Sequence, residues 1–139
     1  MPSLEDLRGL LQQSRVVVFT TFRRDGMPQQ SLVTVGELNS GLAFTTRSRN
    51  AKALNLARDA RCAMMLVSPD RRRFAVLDGE AEVLGPDNLD AEALRLKLRE
   101  VFTAAGGTHD DWDEYDRAMV EQGRVAITLR PSRIVGHGV

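Results

Sequence analysis

Apolar residues in this chain fall into short β-branched or alternating runs punctuated by turn residues, with four stretches of helical spacing between them. Ser3-Leu4-Glu5-Asp6 has the form of a capping box, and Leu4, Leu7 and Leu11 follow at helical spacing, which predicts a short amphipathic helix ending near Gln13. Arg15 to Phe22 is rich in valine, threonine and phenylalanine and runs into Asp25-Gly26, a hairpin signal. Gln29 to Val35 reads as the returning strand. Asn39-Ser40-Gly41 is a second turn signal and Leu42 to Thr46 a third strand. Together these segments predict a three-strand meander.

The second half continues in the same manner. Asn50 to Arg58 is a short helix ended by Asp59, Arg61 to Val67 a strand, and Ser68-Pro69-Asp70 a turn. Arg73 to Leu84 is a longer strand with a bulge expected at Gly79. Asp87 opens a helix whose stripe is Leu94, Leu98, Val101 and Phe102, and Gly106-Gly107 stops it. Asp110 is expected to cap a further helix presenting Trp112, Tyr115 and Met119 on one face. Val125 to Leu129 and Arg133 to Val135 are closing strands. Roughly six or seven strands in hairpin connections, with helices that do not alternate with them, predict an antiparallel α+β barrel rather than a βαβ sheet. A small barrel fills its interior with side chains, so a ligand would lie outside it or between two barrels.

Composition narrows the functional classes. A chain of 139 residues supports one domain, spanning 1–139, with an ordinary globular balance of 42% hydrophobic and 27% charged residues. The net charge is zero, which argues against a dedicated nucleic-acid or anionic-membrane binder. A lone cysteine, Cys62, forms no internal disulfide and fits a reducing compartment, and no leader or spanning stretch is recognisable, so the expectation is a cytoplasmic protein. Of nineteen basic residues only Lys52 and Lys97 are lysines, a skew that fits a GC-rich bacterial genome.

Lys52 stands in the segment most informative about chemistry. The run Leu42-Ala43-Phe44 ends in Thr45-Thr46, after which Arg47, Arg49 and Lys52 arrive just before a helical pattern with Leu54 and Leu56. A strand emptying into a helix start presents free backbone N–H groups and the positive end of the helix dipole, and three added cations make a pocket for a phosphate or carboxylate. The alternative is a solvated arginine turn. Arg71-Arg72-Arg73 reads by default as a solvated hairpin turn, with a ligand-facing role for one arginine as the alternative.

Acid–base machinery is hard to find. His109 and His137 have no second histidine or cysteine at metal-ligand spacing, and Cys62 lies in a strand where a small buried hydrophobe is expected. Ser31 lacks nucleophile-elbow glycines, the acidic cluster Asp110 to Asp116 reads as helix capping, and neither GxGxxG nor a Walker loop is present. An anion pocket without acid–base groups suits a protein whose cofactor performs the reaction.

Four stretches carry a family resemblance. They are Val16 to Gln30 with Asp25-Gly26-Met27-Pro28; Lys52-x-x-Asn55-Leu56-x-x-Asp59-x-Arg61; Phe74 to Gly85 with Gly79-Glu80-Ala81; and Asp111 to Gly136 with Asp111-Trp112-Asp113-x-Tyr115, Arg124-Val125-x-Ile127-x-Leu129-x-Pro131 and Arg133-Ile134-x-Gly136. In this order they resemble the flavin-binding split β-barrel superfamily typified by pyridoxamine 5′-phosphate oxidase. The last stretch is similar to the small actinobacterial members that use the deazaflavin coenzyme F-420. The resemblance implies a homodimer of antiparallel split barrels with peripheral helices and cofactor sites at the interface. Lys52 matches the phosphate-binding lysine of the deazaflavin-like branch and Thr45 its strand-end hydroxyl; Thr46, Arg47, Arg49, Asn50 and Ala51 complete the expected cofactor shell. Ser48-Arg49 is similar to the Ser-Arg pair of the pyridoxamine oxidases, although the lysine that follows that pair is Asn50 here. Gln30, Ser31 and Val33 align with the strand that lies against the tricyclic ring. The oxidases' C-terminal Arg/His segment is not recognisable before Gly138-Val139, which counts against pyridoxine chemistry.

The leading expectation is therefore a reductase that transfers a hydride from reduced coenzyme F-420 to a small-molecule substrate, with no catalytic protein side chain, no metal, and no nucleic-acid or membrane partner. An FMN-dependent oxidoreductase of the same fold is the runner-up, and a non-catalytic flavin, deazaflavin or haem carrier the third reading.

Overall fold

Alternation of apolar and polar positions builds one seven-stranded sheet, every neighbouring pair antiparallel, in a computed structural model that describes residues 1–139. The strands are β1 (Val16–Phe22), β2 (Pro28–Thr34), β3 (Gly36–Leu38), β4 (Gly41–Arg47), β5 (Arg61–Val67), β6 (Phe74–Leu84) and β7 (Arg124–His137). Their order across the sheet is β2-β1-β5-β6-β7-β4-β3. The two edges, β2 and β3, are joined in the chain by Val35 alone. One residue spans less than 4 Å, so the sheet must roll until its edges meet. The result is an antiparallel α+β split barrel, as expected.

The three-strand meander is not what forms. β1 and β2 pair over their full length, from Val16 opposite Thr34 to Phe22 opposite Pro28. β4, however, pairs with β7 and with the three-residue β3, and has no ladder with β2. Sequence proximity suggested a hairpin between β2 and β4. What prevails is the crossing at Val35-Gly36, where Val35 N–H donates to Arg15 O at 2.9 Å and the backbone of Ala104 lies against Gly36. Asn39 and Ser40, both at positive φ, then turn β3 back into β4.

Inward residues of the strands, among them Val17, Phe19, Leu42, Phe44, Met64, Leu66, Leu77, Ile127 and Leu129, form the main core. Two helices stopper it. α1 (Arg8–Gln13), entered through a 3-10 turn at Glu5–Leu7, contributes Leu7, Leu10 and Leu11, and α2 (Ala51–Arg58) contributes Ala53 and Leu56. The expected capping box forms: Ser3 N–H donates to Asp6 Oδ2 at 2.8 Å and Asp6 N–H to Ser3 Oγ at 3.4 Å. Arg58 of α2 reaches Phe22 O at the end of β1, whereas Gln13 of α1 meets Arg73 beside the start of β6, so the stoppers sit at opposite ends.

A second, smaller core lies outside the barrel. α3 (Ala91–Ala104) and α4 (Trp112–Glu121) pack Leu98, Val101 and Tyr115 on Ala43 and Ala126, the outward alanines of β4 and β7. The caps differ from expectation. Asp90 rather than Asp87 caps α3 by accepting from Ala93 N–H, and Asp111 rather than Asp110 caps α4 by accepting from Glu114 N–H. The residues Pro86 to Leu89 fold into a separate turn tied by Asn88, whose carbonyl accepts from Gly85 N–H, and this delays the helix. Gly106 at φ +89° ends α3 as expected, and Gly107 N–H returns to Phe102 O. The two expected closing strands are one strand, β7. Its ladder with β6 shifts register between Asp78 and Gly79, and the extra residue, Ser132, belongs to β7.

On the outer face, Leu32, Val18, Met65, Val76 and Val135 stand opposite one another in register across β2, β1, β5, β6 and β7. Leu32, Met65 and Val135 of this apolar row are exposed.

Gly36 tests the closure. A Cβ there would lie 2.1 Å from the carbonyl carbon of Ala104, a backbone atom that cannot swing aside. Gly36→Ala is expected to lower stability by roughly 1–3 kcal/mol by overpacking, read as a lower urea midpoint with unchanged slope. A midpoint equal to wild type would show that α3 does not bear on the crossing.

Candidate functional site

The barrel is split because β3 is short. It covers β4 only from Gly41 to Ala43, so Phe44 to Arg47 has no strand neighbour on that side, and β2 has none on the side away from β1. A cleft of about 590 Å³ opens between these edges. Leu32, Val33 and Thr34 of β2 form one wall, Thr45 and Thr46 of β4 the other; Asn50 and Lys52 close one end, and Phe102, Gly106 and Arg124 complete the lining.

The end of β4 prepares the start of α2. Asn50 N–H donates to Arg47 O at 3.0 Å, and the Asn50 side-chain amide donates to Thr46 Oγ1 at 2.8 Å. Asn50 occupies the N-cap position, yet no side chain caps the helix. The first-turn N–H groups of α2 are therefore left without a side-chain cap. Arg124, the first residue of β7, is fixed by Nε donating to Gln122 Oε1 at 2.9 Å and Nη1 donating to Thr45 O at 3.4 Å, leaving Nη2 without a protein partner.

Eight ion pairs form in this protein, and neither Lys52 nor Arg124 belongs to any of them. Burial pushes the Lys52 ammonium below its ordinary value, and the Arg124 charge pushes it further. Arg124 is lowered too, first by burial and then by Arg47. Two half-buried cations thus face one cleft with no carboxylate between them. Such an arrangement costs stability in the free protein and is relieved by an anion.

The structure separates the residues singled out from sequence. Thr45, Thr46, Asn50, Lys52 and Val33 come together in the cleft. Ser31 is half-buried on the same face of β2 as Val33, whereas Gln30 is exposed on the opposite face, donating to Thr20 Oγ1 at 3.1 Å. Arg47 and Arg49 are exposed outside the lining. Ala51 faces a different hollow, shared with Arg24 of the β1–β2 turn and Arg58. Arg71 to Arg73 do not line the cleft; their hairpin lies at the α1 end of the barrel, where Arg73 meets Gln13. Sequence reasoning missed Arg124, since a cation just before Val125, Ile127 and Leu129 looks like an ordinary strand flank. It also assigned Phe102 and Gly106 only to packing and helix termination.

The remaining reactive side chains have structural roles. Cys62 is buried against Gly79 O, and burial pushes its thiol up to about 12. His109 accepts from Asp111 N–H at 3.0 Å within an aromatic cluster of Phe102, Trp112 and Tyr115. Asp116 joins α4 to α3 through Arg99 and Arg95.

A family model described as pyridoxamine 5′-phosphate oxidase matches residues 3–138. The chain belongs to that family. Pyridoxamine 5′-phosphate oxidase relatives form a superfamily of flavin-binding oxidoreductases with split-barrel folds. Among solved structures, a conserved hypothetical protein from Mycobacterium tuberculosis is 21% identical with a TM-score of 0.78, the alignment covering 99% of this chain and 85% of that one. An F-420 reductase is 23% identical with a TM-score of 0.66, over 91% and 94% of the two chains. A pyridoxamine 5′-phosphate oxidase-related, FMN-binding protein from Nostoc punctiforme is 18% identical with a TM-score of 0.63, over 97% and 86%. At these identities the likeness is one of fold.

The unpaired cations have a consequence in the ligand-free protein. With Lys52 held below its unfolded value, the unfolded chain binds more protons in the window between the depressed value and 10.5, so this group makes stability rise with pH across that window. Lys52→Met is expected to raise ligand-free stability at neutral pH by a few tenths to about 1 kcal/mol and to remove this alkaline rise. Denaturation midpoints of both proteins at neutral and alkaline pH check it. A mutant that is less stable than wild type at neutral pH would mean that Lys52 has a structural partner.

Proposed function

We propose that the cleft holds the phosphate of coenzyme F-420 and that the protein is a reductase of a small organic acceptor. The observation carrying this reading is the pair Lys52 and Arg124, half-buried, mutually repelling and without a carboxylate, beside an uncapped helix start. These donors fit a phosphate monoester: the free Nη2 of Arg124, a point charge at Lys52 and backbone N–H groups from α2. Family membership supports a flavin-type ring beyond the phosphate, against β2, where Leu32, Val33 and Thr34 line the cleft. Arg47 and Arg49, outside the cleft and free of ion pairs, stand available to the carboxylates of the glutamate tail, which FMN lacks.

When bound, reduced deazaflavin supplies the hydride. The chain binds, orients and shields. Phe102, Leu32 and Val33 give the cleft apolar walls, while Lys52 and Arg124 are its sole titratable lining groups. Both are needed as cations for the phosphate, so neither is free to move a proton, and the proton reaching the acceptor comes from solvent. A carrier would need the same cleft; turnover with reduced cofactor and an activated double bond separates enzyme from carrier.

The active unit is a cytoplasmic homodimer in this reading. Leu32 belongs both to the cleft and to the exposed apolar row across five strands, so a second barrel seated on that row would also wall the cleft. Light scattering is expected to give twice 15.4 kDa, and Met65→Arg, which plants a charge mid-row, is expected to give a folded 15.4 kDa particle with weakened cofactor binding. A wild-type monomer at working concentration counts decisively against the dimer.

Two binding measurements test the cofactor. Lys52→Ala is expected to weaken coenzyme F-420 about 10–100-fold, the scale of one charge-assisted contact of roughly 1.5–3 kcal/mol. In wild type, fluorescence titration is expected to show F-420 at least about tenfold tighter than FMN, roughly 1.4 kcal/mol, with the gap narrowing in salt. Equal or tighter binding of FMN at low ionic strength would make the protein an FMN enzyme with the same phosphate site.

A further inference from the structure

A second hollow, of about 580 Å³, lies behind the cleft, between α3, α4 and the β6–α3 loop. Its floor is apolar, built from Leu89, Leu94, Leu98 and Met119. Val120, 82% exposed, stands at its rim. The polar groups along one side are already committed. Asp90 accepts from Ala93 N–H, Glu92 pairs with Arg95, and Asp116 is held by Arg95 and Arg99. At the other end the situation reverses. Arg124 lines this hollow as well as the cleft, and its Nη2 has no protein partner. Ser48 stands beside it, its hydroxyl also without a hydrogen bond; Gly123 at φ +61° keeps that corner shallow.

We propose that this hollow is a second ligand site, for a small amphiphilic carboxylic acid. An apolar tail covers Leu94, Leu98 and Met119, and the carboxylate takes the uncommitted donors of Arg124 and Ser48. A pocket of this size with an apolar floor and a few convergent donors matches the general form of small-molecule sites. Glu92 and Asp116 are paired with α3 arginines and Asp90 is engaged as a helix cap, so the donors still unengaged are those of Arg124 and Ser48. Nη2 of Arg124 and the Ser48 hydroxyl together offer a carboxylate two donors, one of them charged.

Sharing Arg124 makes the two sites antagonistic. An acid that draws the guanidinium toward the hollow withdraws it from an anion in the cleft, and by linkage a cleft anion weakens the acid by the same factor. The proposal stands on the geometry of Arg124 and does not depend on which cofactor the cleft takes.

Octanoate and octanol, alike in apolar tail and different in charge, are the probes. Five methionines are present, and ¹³C-methyl NMR of Met119 reads the hollow while buried Met64 reports the fold. Octanoate is expected to shift Met119 saturably and at least about tenfold more tightly than octanol, with Met64 unmoved. Leu94→Trp, which fills the floor, is expected to abolish the shift. Inorganic phosphate, added at constant ionic strength, is expected to weaken octanoate severalfold. A Met119 resonance that does not move, equal affinity for octanol, or indifference to phosphate would each overturn the proposal. Should Leu94→Trp fail to fold, the wild-type comparison of the two probes decides alone. Loss of the F-420 preference would leave every one of these readouts unchanged, so the two readings fail separately.

Discussion

One short connection governs this molecule. Strands on opposite edges of a seven-stranded sheet are consecutive in the chain, separated by Val35, and no flat arrangement satisfies that. The sheet rolls, the two alanine-bearing strands turn outward to receive α3, and Gly36 lets α3 lie against the seam. Because β3 is only three residues long, the seam closes at one end and gapes at the other. The cleft is the gap, so the feature that closes the barrel also makes its site.

That origin explains the character of the site. Edges of strands offer backbone groups and alternating side chains rather than convergent acids and bases, and the threonines at the end of β4 are what an edge can supply. The charges come from elsewhere: Lys52 from the helix that stoppers the barrel and Arg124 from the strand beyond β4. Each is anchored by the fold, not by a counter-ion. On the proposed function, this is preorganisation: the repulsion between the two cations is released when the phosphate binds.

The sequence was most legible where the structure is local. Arg61 to Val67 has the extent that its periodicity suggested, and Val16 to Phe22 and Ala51 to Arg58 start one residue after the expected Arg15 and Asn50, because alternation and helical spacing decide them without reference to the rest of the chain. Legibility failed where long-range closure decides. Gly36-Glu37-Leu38 is too short to show a strand pattern, and β4 chooses β7 over β2 for reasons no window contains. The site divides the same way. Thr45 to Lys52 is contiguous and was readable as one strand-to-helix junction. Arg124 joins it only through the pairing of Arg47 with Arg124 across β4 and β7, and its chemistry could not be seen beside an apolar strand. Gln30 and Ser31 point to opposite faces of β2, as adjacent strand residues do, and neither lines the cleft.

The hairpin of β3 and β4 has a single neighbour in the sheet, and that neighbour is β7. Residues 36 to 47 precede residues 124 to 129 by some eighty positions, so this hairpin has no further strand to join until β7 has been made. Through that interval the nascent chain carries Leu42 and Phe44 uncovered, while β1, β2, β5 and β6 can already assemble beside them. Completion of the domain therefore waits for β7, and the cleft, which takes Arg124 into its lining, cannot form before that strand is in place.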